Sequence, residues 1–224
     1  MADFSRARVR LALVLLTALL AGSASGDPVA QAPAAPNTAP PAATPATQAI
    51  DGLHASLLDV MKNAVALGYA GREQKLRSVI PQYFDVQGMA RKALVGQQWK
   101  TASEESKRRY LDAFERFMVA NYAGRFDGYS GQSFETLGEA PGARDTIIVK
   151  TRLIDPTDKN IELNYQMHQV GGTWKVIDVY LDGTVSELAL RRSEFVSIVK
   201  RENLDALIVA LDTKIAKLAA GKES

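Results

Sequence analysis

The chain has 224 residues, 46% of them hydrophobic, with 27 Lys and Arg against 25 Asp and Glu and no cysteine. That length suits one medium domain with a core, and the lack of cysteine excludes disulfides, thiolate chemistry and lipid modification of an N-terminal cysteine. Residues 1–26 hold three arginines and one aspartate, so the remainder balances 24 basic against 24 acidic side chains and lacks a basic footprint for nucleic acid.

Met1 to Gly26 reads as a secretory signal peptide. Arg6, Arg8 and Arg10 precede a short apolar run, Leu11 to Ala21, and Ala24-Ser25-Gly26 offers small residues for cleavage. Residues 27–47 form an Ala/Pro-rich linker, with Pro28, Pro33, Pro36, Pro40, Pro41 and Pro45 favouring an extended, disordered tether. The folded domain is expected over residues 48–220. From Ile50 the period becomes helical, with Leu53, Leu57, Met61, Ala64 and Val65 on one face and Gly68 and Gly71 ending the helix. A second helix runs from Arg72 to Ile80 and stops at Pro81. Asp85 is placed to cap a short third helix through Leu94, and Gly96 ends it.

Thr101-Ala-Ser-Glu104 matches a capping box, and a long helix follows. Tyr110, Phe114, Phe117 and Asn121 share one line of it, with Leu111, Met118, Tyr122 and Phe126 beside them. Gly128 to Gly131 is a loop. The period then changes to two. Ser133–Leu137, Thr146–Ile154, Ile161–His168 and a strand opening at Trp174 are joined by Asp155-Pro156-Thr157-Asp158 and by Gly171-Gly172. Asp182-Gly183 turns the chain into two closing helices, Ser186 to Lys200 and Leu204 to Leu218, the first capped by Ser186 or Thr184. The fold class is α+β, a four-stranded antiparallel β-meander with helices packed against it.

Chemistry is sparse. His54 on the polar side of the first helix and His168 on the polar face of a strand lack metal-ligand spacing. Gly128-Tyr-Ser-Gly131 lacks the glycine at 132 that a hydrolase elbow needs, and no phosphate loop occurs. No catalytic residue, metal site or cofactor is assigned. What remains is an apolar surplus. The strand from Trp174 to Leu181 reads as apolar on both faces, which leaves two readings: a fully covered sheet, or a cleft holding a hydrophobic ligand.

Tyr83-Phe84-Asp85, Met89-Ala90, Trp99, Phe114-Glu115, Thr173 to Val179 and Gly183-Thr-Val-Ser186 with Arg192 and Phe195 carry a resemblance. The chain resembles the MlaC or toluene-tolerance family of periplasmic lipid-binding proteins over Ile50 to Leu211. Arg125 to Gly131 and Asp178 to Leu188 look like its hopanoid-associated, HpnM-like branch. The family's tyrosine before the arginine of the first C-terminal helix is replaced here by Leu190 ahead of Arg191 and Arg192, which puts any tyrosine role there in doubt.

The resemblance implies a monomeric, non-enzymatic periplasmic carrier that shuttles a phospholipid or hopanoid between inner and outer membrane in a pocket between sheet and helices. The implied partners are an inner-membrane transporter complex, of resistance-nodulation-division or Mla type, and an outer-membrane lipoprotein. The expected lining is Val149, Leu163, Tyr165, Met167, Val179 and Leu181 from the sheet, with Phe84, Met89, Phe117, Tyr122, Leu188 and Phe195 from the helices. Arg191 and Arg192 are the candidates for a head group or a partner. The alternative is a packed adaptor that docks to an envelope transporter. An enzyme acting on lipid is the third reading, and it needs a constellation that the residues do not display.

Overall fold

The computed structural model describes residues 43–94 and 96–221. The segment read as a signal peptide, 1–26, and most of the stretch read as an Ala/Pro linker lie outside those residues. Helix α1, Pro45–Lys62, starts inside the stretch read as linker and ahead of Ile50. Thr44 and Thr47 cap each other reciprocally, backbone to side chain at 3.2 and 2.8 Å, and Pro45 fills the first helical position, where its missing N–H costs nothing. Ala46 is fully buried, so tertiary packing extends the helix into a segment whose composition reads as tether.

The expected boundaries of the next helix are corrected too. Helix α1 ends at Asn63, and α2, Ala64–Tyr83, passes through both Gly68 and Pro81. Gly68 takes φ 58° and ψ −175°, a conformation nearly confined to glycine, so it kinks α2 rather than ending α1. Val65, placed on the apolar face from its spacing, is 94% exposed because that face belongs to a helix that has already stopped. Helix α3, Val86–Ala93, is capped by Asp85 as expected, with Gly88 N–H donating to its carboxylate at 2.9 Å. A short α4, Gln97–Thr101, follows. The long helix α5, Glu104–Arg125, is capped by Ser103, not Thr101, because Thr101 is consumed by α4 and Ser106 N–H donates to Ser103 Oγ.

The sheet is β1 (Ser133–Pro141), β2 (Ile147–Ile154), β3 (Ile161–Val170), β4 (Thr173–Leu181) and β5 (Val185–Ser186), antiparallel in chain order. The meander therefore has five strands instead of four, the fifth a two-residue edge pairing Tyr180 with Ser186 and Leu181 with Val185. At the other end of β4, Phe84 bridges Val176, and Asp85 N–H donates to Val176 O at 2.9 Å. Both ends of that edge are thus occupied.

Alternation in β2 and β3 follows the sequence. Val149, Thr151 and Leu153 are buried, as are Leu163, Tyr165 and Met167. On the opposite face Arg152 lies 3.8 Å from Glu135 and 3.7 Å from Glu162, as suits a sheet with one solvated side. β4 departs from the period. Gln166 pairs with Asp178 but Met167 pairs with Val176, which leaves Ile177 as the extra residue of a β-bulge. The bulge brings Val176 and Val179, three positions apart, to the same side as Met167 and Tyr165. The run that reads as apolar on both faces is thus partly one face, re-phased.

Helices α6, Glu187–Arg201, and α7, Leu204–Ala219, close the chain. On α5, Tyr110, Phe114, Phe117, Met118 and Tyr122 are buried. Each such side chain contributes roughly 1.5–3 kcal/mol on leaving water. Phe195 of α6 sets its ring edgewise to Tyr110 and Phe114, with centroids 6.5 and 6.2 Å away. These contacts fix α6 against α5, next to the seam with the sheet where the candidate site lies.

Candidate functional site

Register builds the floor of the site. Val149 pairs with Tyr165 and Tyr165 with Val179, so three buried side chains form one row across β2, β3 and β4. Leu163 opposite Leu181 forms the next row. Above these rows lie Tyr122, Arg125 and Phe126 from the last turns of α5 and Glu187 from the first residue of α6. Tyr122, Arg125, Phe126, Leu163, Tyr165, Val179, Leu181 and Glu187 enclose a cavity of about 20 Å³. That volume admits roughly one water molecule and no acyl chain.

Of the sequence-derived lining, Tyr122, Leu163, Tyr165, Val179 and Leu181 meet at this cavity. Phe84 stands one layer behind, its ring 5.4 Å from that of Tyr122 and inclined by 69°. Phe117 lies under the Arg191 guanidinium, 4.6 Å from the ring centroid. Val149, Met89, Met167 and Phe195 are buried in the surrounding core, and Leu188 packs against it half-buried. The two arginines part company. Arg191 faces α5, whereas Arg192 lines a separate open groove of about 790 Å³ with Gly96, Ala189, Ser193, Val196, Ser197 and Lys200.

The polar groups around the cavity are few and placed. His54, expected on the polar side of α1, is instead 4% exposed. Its ring stacks on Phe134 at 3.9 Å, and Nε2 lies 3.1 Å from the Tyr165 hydroxyl. Burial drives its pKa down to about 3, so the imidazole is neutral and serves as a hydrogen-bond partner. At the rim Arg125 and Glu187 form an ion pair. Burial opposes the Arg125 charge, but the charge and hydrogen bond of Glu187 more than offset it, and the net shift is upward. For Arg191 burial dominates and the shift is downward, with Glu187 offsetting part of it.

Asp178 anchors the start of α6. It accepts hydrogen bonds from Ser186 Oγ at 2.5 Å and from Leu188 N–H at 3.0 Å, while Ser186 caps the helix by accepting from Ala189 N–H at 2.9 Å. Burial raises the Asp178 pKa against the lowering effect of those donors. His168, on the wet face of β3, lies 3.0 Å from the Asp85 carboxylate and braces the start of α3. Both histidines thus have structural partners. Among the described residues no three His, Asp or Glu side chains gather where a metal ion would be held, and no helix is long and apolar enough to cross a membrane.

The sequence-derived lining omits Arg125, Phe126, Glu187 and His54. The first three fall inside the two segments that carry the closer resemblance, Arg125 to Gly131 and Asp178 to Leu188, and that was the available signal. Nothing in the spacing indicates that residues 62 positions apart would pair.

A family model described as MlaC protein matches residues 52–213. Among solved structures, the fold is similar to that of a phospholipid-binding protein from Ralstonia solanacearum in complex with a phospholipid. The TM-score is 0.67 and the identity 20%, with 78% of this chain and 98% of that chain covered. At that identity the likeness establishes the α+β architecture and nothing about ligand.

Proposed function

The chain belongs to the MlaC protein family, and from that premise we propose that it is a lipid-binding carrier that takes an acyl or polycyclic lipid between the sheet and helices α5 and α6. The observation that carries this reading is the seam itself. Leu163, Tyr165, Val179 and Leu181 of the sheet face Tyr122 and Phe126 of α5 across a cavity whose ion pair lies at its rim. A lipid places its chains inward and its head near water, and this distribution of apolar and charged groups matches it. The phospholipid bound in the Ralstonia protein of the same fold adds support for a phospholipid cargo. The resemblance of Arg125 to Gly131 and Asp178 to Leu188 favours a hopanoid as the other candidate.

At about 20 Å³ the cavity admits cargo only when the helices move off the sheet. Burying an acyl chain is worth about 0.8 kcal/mol per CH₂, hence roughly 12 kcal/mol gross for sixteen carbons. Release therefore needs a second apolar environment, supplied by a membrane or by a transporter that docks at the mouth. The leader-like Met1 to Gly26 supports export to the periplasm, where such a carrier shuttles lipid between inner and outer membrane as a monomer. No residue is assigned to catalysis. Among the described residues neither histidine lines the cavity, and the one carboxylate that does, Glu187, is held by Arg125.

The test is native mass spectrometry of the protein from a periplasmic preparation, with solvent extraction of what is bound. A discrete adduct that extracts as phospholipid or hopanoid is the expected result. The small cavity favours a second reading, a packed adaptor docking to an envelope transporter. Protein that carries no adduct and takes nothing from offered vesicles would replace the carrier by that adaptor.

A further inference from the structure

The open groove of about 790 Å³ beside α6 has no part in the carrier reading, and its lining is uneven in charge. Arg192, Val196 and Lys200 recur every four residues along α6, and Ala189, Ser193 and Ser197 form the neighbouring row. One face of the helix thus supplies nearly the whole wall. Arg192 and Lys200 are exposed, and neither side chain makes an ion pair or a hydrogen bond among the described residues. The acids of the same helix are engaged elsewhere. Glu187 holds Arg125 at the cavity, and Glu194 holds Lys214 of α7 at 2.6 Å.

Gly96, between α3 and α4, closes the other side of the groove, and α3 packs on α6. Residues 86–103, which hold both short helices, contain Arg91, Lys92 and Lys100 and no Asp or Glu. Lys92 and Lys100 are exposed and unpaired among the described residues, and Arg91 reaches the Gln87 side chain at 3.1 Å. Residues 27–224 are formally neutral, so this surplus is matched by a deficit elsewhere. The resulting dipole turns this face towards an anionic surface. The occupant follows from what the groove lacks. Protein interfaces draw most of their energy from large apolar and aromatic anchors in desolvated pockets. The groove offers no aromatic side chain, and Val196 is its one branched aliphatic. Attachment to anionic lipid needs only clustered cations near the phosphates.

We propose that the face built by α3, α4 and α6 is a docking surface for an anionic bilayer, centred on Arg192 and Lys200 with Lys92 and Lys100 on the flanking helices. The cavity is separate but shares the first turn of α6, where Glu187 lines the cavity and Ala189, two positions on, lines the groove. A chain lying on a bilayer by this face brings the α6 end of the cavity to the lipid. The surface does not rest on the carrier reading, since it attaches the protein whether or not lipid enters the cavity. Exposed charges are screened beyond about 10 Å at 0.1 M salt, so the attachment is salt-sensitive and reversible.

The experiment sediments the protein with sucrose-loaded phosphatidylcholine vesicles, with and without fluorescent phosphatidylglycerol. It compares wild type, Arg192→Gln with Lys200→Gln, and Lys150→Gln with Lys159→Gln. The last pair removes the same net charge from exposed lysines of β2 and the β2–β3 turn. Wild type is expected to pellet with the anionic vesicles at low salt, to stay in solution with phosphatidylcholine alone and to be released by high salt. The α6 pair lowers the partition coefficient by about thirtyfold, and the sheet pair leaves it unchanged. Equal losses in the two pairs overturn the surface, as does a wild type that never pellets. A wild type that ignores protein-free vesicles but pellets with native envelope membranes overturns it too, and gives the face to an acidic protein. Fluorescent lipid left in the supernatant reports uptake separately, so failure of docking and failure of the carrier are told apart. Should the α6 pair not fold, Lys92→Gln with Lys100→Gln replaces it, with a loss again expected against the sheet pair.

Discussion

His54 Nε2 and the Tyr165 hydroxyl stand 3.1 Å apart although 111 positions separate them in the chain. The pair joins α1 to the central row of the sheet directly beneath the cavity. It has a consequence for acid stability. The folded protein holds His54 at about 3, whereas the unfolded chain holds it near 6.5. Between those values the unfolded state binds the proton and the folded state does not, so stability rises with pH across that window. The contribution is fully present above about pH 6.5 and is lost on acidification towards pH 3, at up to about 1.4 kcal/mol per pH unit. Urea unfolding at pH 4, 5, 6 and 7 is expected to show a shallower pH slope for His54→Gln than for wild type. Parallel slopes would show that His54 is not the group responsible.

Leu181 lies at the edge of the cavity and is half-buried, whereas Val179 in the same strand is 4% exposed. A tryptophan at 181 can project across the mouth, while one at 179 must displace core. Leu181→Trp is therefore expected to abolish lipid uptake with a small change in Tm. Val179→Trp should also block uptake but lose about 1–3 kcal/mol to overpacking. Vesicle uptake and thermal unfolding measured side by side separate the two. Full uptake by Leu181→Trp would place the cargo elsewhere.

Asp178 gathers Ser186 Oγ, Leu188 N–H and Val179 N–H onto one buried carboxylate. Removing it leaves donors without an acceptor, and Asp178→Ala is expected to cost about 3 kcal/mol in denaturant unfolding. Asp178→Asn keeps an acceptor oxygen and is expected to cost about 1 kcal/mol. If alanine and asparagine are equally mild, the start of α6 is held by packing and not by this carboxylate.

Gly68 has open space around the position of a Cβ, so a side chain there would meet no neighbour. Only the backbone objects, since φ 58° with ψ −175° is a region that L-residues avoid. Gly68→Ala is expected to destabilise the protein by about 1–3 kcal/mol without disturbing the core, as read by thermal unfolding. An unchanged Tm would mean that α2 does not need this kink.

The periodicity of the chain determined its elements wherever local chemistry and burial agree. The long aromatic lines of α5, the alternation of Val149–Leu153 and Leu163–Met167, the Gly171-Gly172 hairpin and the caps at Asp85 and Ser186 were all legible, because each depends on residues a few positions apart. A two-residue edge strand, the early start of α1 at Pro45 and the kink at Gly68 were not, because neighbouring segments decided them. The same division runs through the site. Apolar spacing marked Tyr122, Leu163, Tyr165, Val179 and Leu181 as inward-facing, but it marked Met89, Met167 and Phe195 equally, since inwardness says nothing about which buried side chain borders a cavity. The bulge at Ile177, the burial of His54 and the meeting of Arg125 with Glu187 belong to the tertiary structure alone. Each arises from how α1, α5 and α6 dock on the sheet, and a one-dimensional pattern records which side of an element is apolar without recording what is brought against it.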